Sequence, residues 1–151
     1  MATFDAERGR DEVILVARIL LIVLFVVFGW SKLTNYAGTV GYMATTGLPV
    51  PSIATLVAIA VEVFVALAVA LGAWTRPLAL LLALYALVTG LIGHHFWTME
   101  GAARYGNAIN FYKNISIAGG FLLLYVTGPG RYSLDTMRGA RQGAVRGQNG
   151  H

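Results

Sequence analysis

The chain has 151 residues, of which 57% are hydrophobic and only 12% charged, with a mean hydropathy of +0.67. A soluble domain carries about twice that charged fraction, so the composition excludes a water-soluble fold and points to one membrane domain. The net charge of +4 lies mainly in the two tails, without a basic stripe interleaved with aromatics, which excludes a nucleic-acid surface. The absence of cysteine excludes a disulfide, a thiol relay, a thiolate-held metal and an iron–sulfur cluster built from this chain alone.

A polar tail, residues 1–12, precedes the first predicted helix, from about Val13 to Lys32. That apolar run is longer than a signal-peptide core, and no Ala-x-Ala-like site follows before the next span, so it reads as a retained helix. A loop from Leu33 to Ser52 leads to the second helix, Ile53 to Trp74. The third begins near Arg76-Pro77, with proline in the first turn, and ends near Trp97. The fourth runs from about Ile109 to Thr127, carries Lys113 and Asn114 near its start, and stops at Gly128-Pro129-Gly130. Each span is about 19 to 22 residues, roughly 30 Å of helix, enough for a bilayer core. Residues 136–151 are rich in Gly, Gln and Arg and read as a disordered basic tail. No internal repeat or second domain is visible.

These elements predict an all-α fold: an integral-membrane, antiparallel, up-down-up-down four-helix bundle over residues 13–135. Arg8, Arg10, Arg76, Arg131, Arg138, Arg141 and Arg146 fall in the N-terminal tail, the second link and the C-terminal tail. The positive-inside rule then places both termini in the cytoplasm.

Two rows of small residues support close helix packing. Ala54, Ala58, Ala66 and Ala70 share the four-residue row of Glu62, and Ala79, Ala83, Ala86, Gly90 and Gly93 form a heptad stripe on the third helix. Glu62 therefore faces other helices. A carboxylate at that depth costs roughly 2.5 kcal/mol or more, so it marks a site by default. It reads as a proton acceptor, against the alternative of a structural hydrogen-bonded carboxyl.

Sorted by depth, Lys32, His94, His95, Lys113 and Asn114 belong to the outer third of the bundle, with Glu62 beneath them. Adjacent histidines point about 100° apart on a helix, and His94, next to Gly93, is the inward one. Lys32, His95, Lys113 and Asn114 are ligand-binding candidates, and His94 a catalytic candidate beside Glu62. The bland alternative is that both lysines snorkel to the interface. Arg18, about 7 Å from the inner end of its helix, either snorkels or reaches Glu62 as a structural ion pair. Trp30, Trp74 and Trp97 sit at helix ends and read as interfacial anchors. No histidine recurs four residues on or faces the pair from another helix, so no metal site is expected. With cations outnumbering the single carboxylate, such a pocket suits a small anion, or a carbonyl ligand such as a quinone headgroup.

Several motifs occur in order. Phe28-Gly29-Trp30-Ser31-Lys32-Leu33 fits F-x-G-x-x-K-L, Gly47-Leu48-Pro49 fits G-L-P, and His94-His95-Phe96-Trp97 fits H-H-F-W. Glu62, Lys113-Asn114, Gly119-Gly120 and the closing Gly128-Pro129-Gly130 with Ser133-Leu134-Asp135 complete the series. Over residues 14–135 the chain resembles the DoxX family of small four-helix membrane proteins. The resemblance implies a multi-pass protein of the bacterial cytoplasmic membrane, often a subunit of an oxidoreductase; the related DoxD proteins are linked to thiosulfate:quinone oxidoreductase. The favoured reading is a quinone-interacting subunit, and because cysteine and convincing metal ligands are absent, no redox cofactor is built in and the electrons arrive from a partner or a diffusible donor; a protein partner or homo-oligomer is expected. A non-catalytic scaffold or assembly subunit is the alternative, and a carrier is disfavoured because four helices show no inverted repeat.

Overall fold

The computed structural model describes residues 2–140, with side chains described from Gly9 onward. Helix α1 runs Ala2–Thr34, α2 Tyr36–Thr45, α3 Pro51–Ile59, α4 Ala66–Leu71, α5 Thr75–Gly93 and α6 Gly101–Thr127. A π-helical segment, Ala60–Val65, joins α3 to α4, and a single 3-10 turn, Phe96–Thr98, links α5 to α6.

The fold is all-helical. Among the described residues, three helical stretches are long and apolar enough to cross a membrane: Gly9–Thr34, Pro51–Leu71 and Thr75–Thr98. Helix α6 has 27 residues, but its first half carries Arg104, Asn107, Asn110, Lys113 and Asn114, which lowers its hydropathy.

Several boundaries differ from expectation. The tail before Val13 continues α1 as helix, and the loop after Lys32 contains α2. Helix α5 ends at Gly93, so His94 and His95 lie in the link rather than in a helical turn. Helix α6 begins eight residues before Ile109 (Gly101 against 109). Residues 134–140 are helical, which includes the first five residues of the tail expected from 136; the rest of that tail, 141–151, lies outside the described residues.

Small residues fill the interior. Ala66, Ala79, Ala83, Ala86 and Ala118 are buried with Val69, Leu82 and Phe121, while Val13, Phe64, Leu123 and Val126 are largely exposed. This pattern suits lipid, where close backbone approach rather than water exclusion holds helices together. The Ala79–Ala83–Ala86–Gly90 stripe is buried as its spacing predicts, with α5 and α6 in extensive contact. At Gly90 an added Cβ would lie 3.2 Å from the Asn114 side chain.

The end of the molecule distant from Lys32 is tied together by the closing motif. Arg18 is 1% exposed. Its Nη1 donates to the Pro129 carbonyl and its Nη2 to the Tyr132 carbonyl at 2.6 Å. The Ser133 hydroxyl accepts from the Thr136 amide and donates to the Gly130 carbonyl, capping the 134–140 helix. Asp135 accepts the amides of Trp74 at 2.8 Å and Thr75 at 2.9 Å, capping α5 from across the fold. Trp74 is left-handed (φ 47°), a costly state for a bulky residue, and the Asp135 bonds hold it there. Gly72 (φ 70°) admits the crossing, since a Cβ there would meet Ser133 and Arg18 at 2.4 and 2.8 Å.

Burial alone would raise the Asp135 carboxyl, but the Thr75 and Trp74 amides and the Arg138 guanidinium outweigh it and hold the group below the usual carboxylate range. The folded state therefore binds fewer protons than the unfolded state in that range, and stability rises with pH. The contribution is full above the unfolded value of about 3.9 and fades as pH falls through the lower folded value. Wild-type protein in detergent is expected to lose stability on acidification below about pH 4. Asp135→Asn is expected to start lower and to show a shallower loss in thermal melts across the same window.

Candidate functional site

Glu62 lies in the π-helical segment, where the Ala66 amide bonds back to the Val61 carbonyl five residues earlier. Val61, Val63 and Val65 are β-branched and crowd a regular α-turn, and such π-bulges recur at functional sites. The widened turn faces α1 at Gly29. A Cβ at Gly29 would come within 2.8 Å of Glu62 Cβ and 2.9 Å of Val63 Cγ2, so glycine lets the α1 backbone lie directly on this segment. One turn further along α1, Lys32 is thereby carried over the carboxylate.

Lys32 Nζ donates to Glu62 Oε2 at 2.7 Å, and the Tyr85 hydroxyl donates to Glu62 Oε1 at 2.7 Å. Both carboxylate oxygens are thus engaged, by α1 on one side and α5 on the other, with Glu62 7% exposed. Lys32–Glu62 is the one salt bridge among the described residues. Its ammonium also sits 5.8 Å from the Phe28 ring centre.

The three side chains border a cavity of about 630 Å³ enclosed by α1, α3, the π segment, α5 and α6, and covered at one end by Tyr42, Met43, Thr46 and Leu48 of α2 and the loop after it. Phe25, Phe28, Val57, Val88 and Ile117 supply apolar walls; His94, Asn110, Lys113 and Asn114 supply polar groups. Lys32, Glu62, His94, Lys113 and Asn114 all border this one space.

Two candidates fall elsewhere. The His95 ring does not line the cavity: its Nδ1 lies 2.9 Å from the Ile92 carbonyl and its ring packs edge-on to Trp97. It lies off this cavity because α5 ends at Gly93, which turns the His94–His95 pair out of helical register. Arg18 makes no ion pair with Glu62. Fourteen residues separate it from Lys32, about 21 Å of helix, and its guanidinium serves the closing-motif carbonyls instead.

His94 remains inward, with Nδ1 3.0 Å from Asn107 Oδ1. An Nδ1–H donated there leaves Nε2 as the proton-accepting atom.

Tyr85 went unnoticed in the sequence, although a signal exists. It is the lone tyrosine of α5, at mid-span, where a hydroxyl in a membrane needs a partner at its own depth. Glu62 is that partner.

An apolar exterior, three helices able to span a bilayer and a polar cavity among them define a multi-pass membrane protein. The DoxX family model matches residues 13–95, just over half of the chain, from α1 through Lys32, Glu62, Tyr85 and His94. The inner membrane protein YphA of Escherichia coli (strain K12) is 49% identical over 132 residues, covering 87% of this chain and 94% of that protein. The inner membrane protein YqjF of the same organism is 43% identical over 131 residues, covering 87% and 95%. No solved structure matches. The chain belongs to the DoxX family and is a multi-pass protein of the bacterial inner membrane.

Proposed function

We propose that this chain is a quinone-interacting membrane subunit of a bacterial oxidoreductase, with its polar cavity inside the bundle on the periplasm-facing side, beneath α2. The observation that carries the reading is the cavity itself: about 630 Å³, apolar along its walls, with a carboxylate held between an ammonium and a phenol. The volume lies within the range of small-molecule pockets. A quinone headgroup presents only acceptors, and Lys32, Lys113, Asn110 and Asn114 are donors, Lys32 with N–H groups left beyond the one given to Glu62; Phe25 and Phe28 offer ring contacts. The residues fit.

A bound quinone supplies a two-electron, two-proton couple, and the electrons come from a protein partner or a diffusible donor. Lys32 and Tyr85 hold the Glu62 carboxylate oriented, one on each oxygen. A proton accepted at Glu62 weakens its hold on Lys32 and frees that amine for the ligand. His94 Nε2 serves as a second proton-exchanging atom. A small anion held by Lys113 is the competing ligand.

The scaffold reading draws on a specific observation, the full engagement of both Glu62 oxygens by protein donors. Glu62→Gln separates the two, because it keeps size and acceptor while removing charge and titratable proton. On the quinone reading the variant inserts and keeps most of its melting temperature, because the Lys32 ammonium left behind is 22% exposed and reaches water along its stem, but it loses most binding of a decyl-benzoquinone in a fluorescence titration. A lowered melting temperature with unchanged quinone binding would instead support the scaffold.

We further propose that α6 is a fourth span of an antiparallel up-down-up-down bundle, its polar half turned to the cavity, and that both termini are cytoplasmic. The arginine distribution supports this orientation. Gly41, on α2, has open space at its Cβ, so Gly41→Cys gives this cysteine-free chain one clean reporter. An impermeant maleimide is expected to label it from the periplasmic side of whole cells. Labelling only in inverted vesicles would reverse the orientation.

A further inference from the structure

Helices α1 and α6 meet at Leu21 and Gly120, where a Cβ on Gly120 would lie 2.7 Å from Leu21 Cδ2. Beyond that contact, toward Lys32, they part: Leu24 and Phe28 on α1 and Lys113 and Ile117 on α6 line the cavity. Leu24 and Phe28 are also 40% and 54% exposed, so the same side chains face the cavity and the outside of the molecule. The gap is a slot in the lipid-facing wall.

A second depression, about 490 Å³ and more open, runs along the outer face of α6 and is lined by Tyr105, Ala108, Ile109, Tyr112, Lys113 and Ser116. These positions form one stripe about 17 Å long by helical rise. Lys113 lines both this trough and the cavity, so its side chain is the boundary that the two spaces share. Apart from Lys113 and Ser116 the trough is walled by alanine, isoleucine and tyrosine, a surface for a hydrocarbon chain.

Resting on the reading of the cavity as a ligand site, we propose that its occupant is a long-tailed lipid that enters sideways from the bilayer between α1 and α6. The polar head lies in the cavity and the tail leaves past Lys113 along the α6 trough. Lys113, which has no ion-pair partner among the described residues, stands at the junction and donates to an acceptor of the head. A small water-soluble molecule would use the cavity and leave the trough without a role.

The test uses the full chain in nanodiscs and a benzoquinone whose decyl tail ends in a photoreactive diazirine, with labelled peptides mapped by mass spectrometry. The expected result is labelling within residues 105–116 that excess untagged decyl-benzoquinone removes. Ala108→Trp, which fills the trough, is expected to lose most of that labelling while binding of a tail-less benzoquinone stays unchanged. Competable labelling on Tyr42–Leu48, or around Val57 and Val88, would overturn the tail path and leave the ligand reading standing. Absence of competable labelling anywhere, together with no binding of the tail-less benzoquinone, would overturn both.

Discussion

Lys32→Met is expected to destabilise the protein by about 3–5 kcal/mol, the cost of stranding a buried charge by removing its partner. The loss comes from what stays behind. Glu62, 7% exposed, would keep only the Tyr85 hydroxyl and face an apolar wall with an uncompensated charge, or take up a proton. Methionine preserves the stem that packs near Phe28, so the change isolates the ammonium. Adding Glu62→Gln to Lys32→Met is expected to recover most of the loss, because a neutral amide against Tyr85 leaves no charge to desolvate. A double-mutant cycle in denaturant titrations of detergent-solubilised protein measures the coupling. A single-variant loss under about 1 kcal/mol would mean that the pair behaves like a solvent-exposed one.

Arg18→Met is expected to be comparably damaging at the opposite end of the molecule. Two carbonyls, of Pro129 and Tyr132, lose their charged donor, and each hydrogen bond to a charged group is worth about 1.5–3 kcal/mol. Asp135 loses a nearby positive charge as well. The closing motif also caps α5 through Asp135, so release of the Gly128–Asp135 segment is expected to fray the start of α5. Faster amide exchange at Trp74 and Thr75, alongside a lower melting temperature, is the signature. Unchanged exchange there would show that Asp135 holds its cap without Arg18. Arg18→Lys is expected to fall short of rescue, because one ammonium does not reproduce the two-pronged reach of a guanidinium.

The small-residue stripe on α5 was legible because a period of 3.5 to 3.6 residues is all it requires, and Ala79, Ala83, Ala86 and Gly90 are buried accordingly. Depth counting along helices likewise brought Lys32, Glu62, His94, Lys113 and Asn114 to a common level, and they border one cavity. What counting misses is direction. Arg18 shares a face with Lys32 in a heptad sense, yet sits about 21 Å away along the axis and serves a turn more than a hundred residues later in the chain. His95 turns away because α5 stops at Gly93, and a helix end set by tertiary packing leaves little local trace. The π segment is hidden for a similar reason: one extra residue in a turn does not disturb hydropathy, although it aims Glu62. Gly29 is the residue whose meaning changed most. In sequence it is part of a motif; in the fold it is the point where α1 rests on Glu62.

The most direct measurement is an inventory of what accompanies the protein from its native membrane in mild detergent, read by mass spectrometry and by optical spectra. A quinone at about one per chain is expected, lost from Glu62→Gln at unchanged yield of folded protein. A stoichiometric protein partner with no quinone, in wild type and variant alike, would contradict the quinone reading.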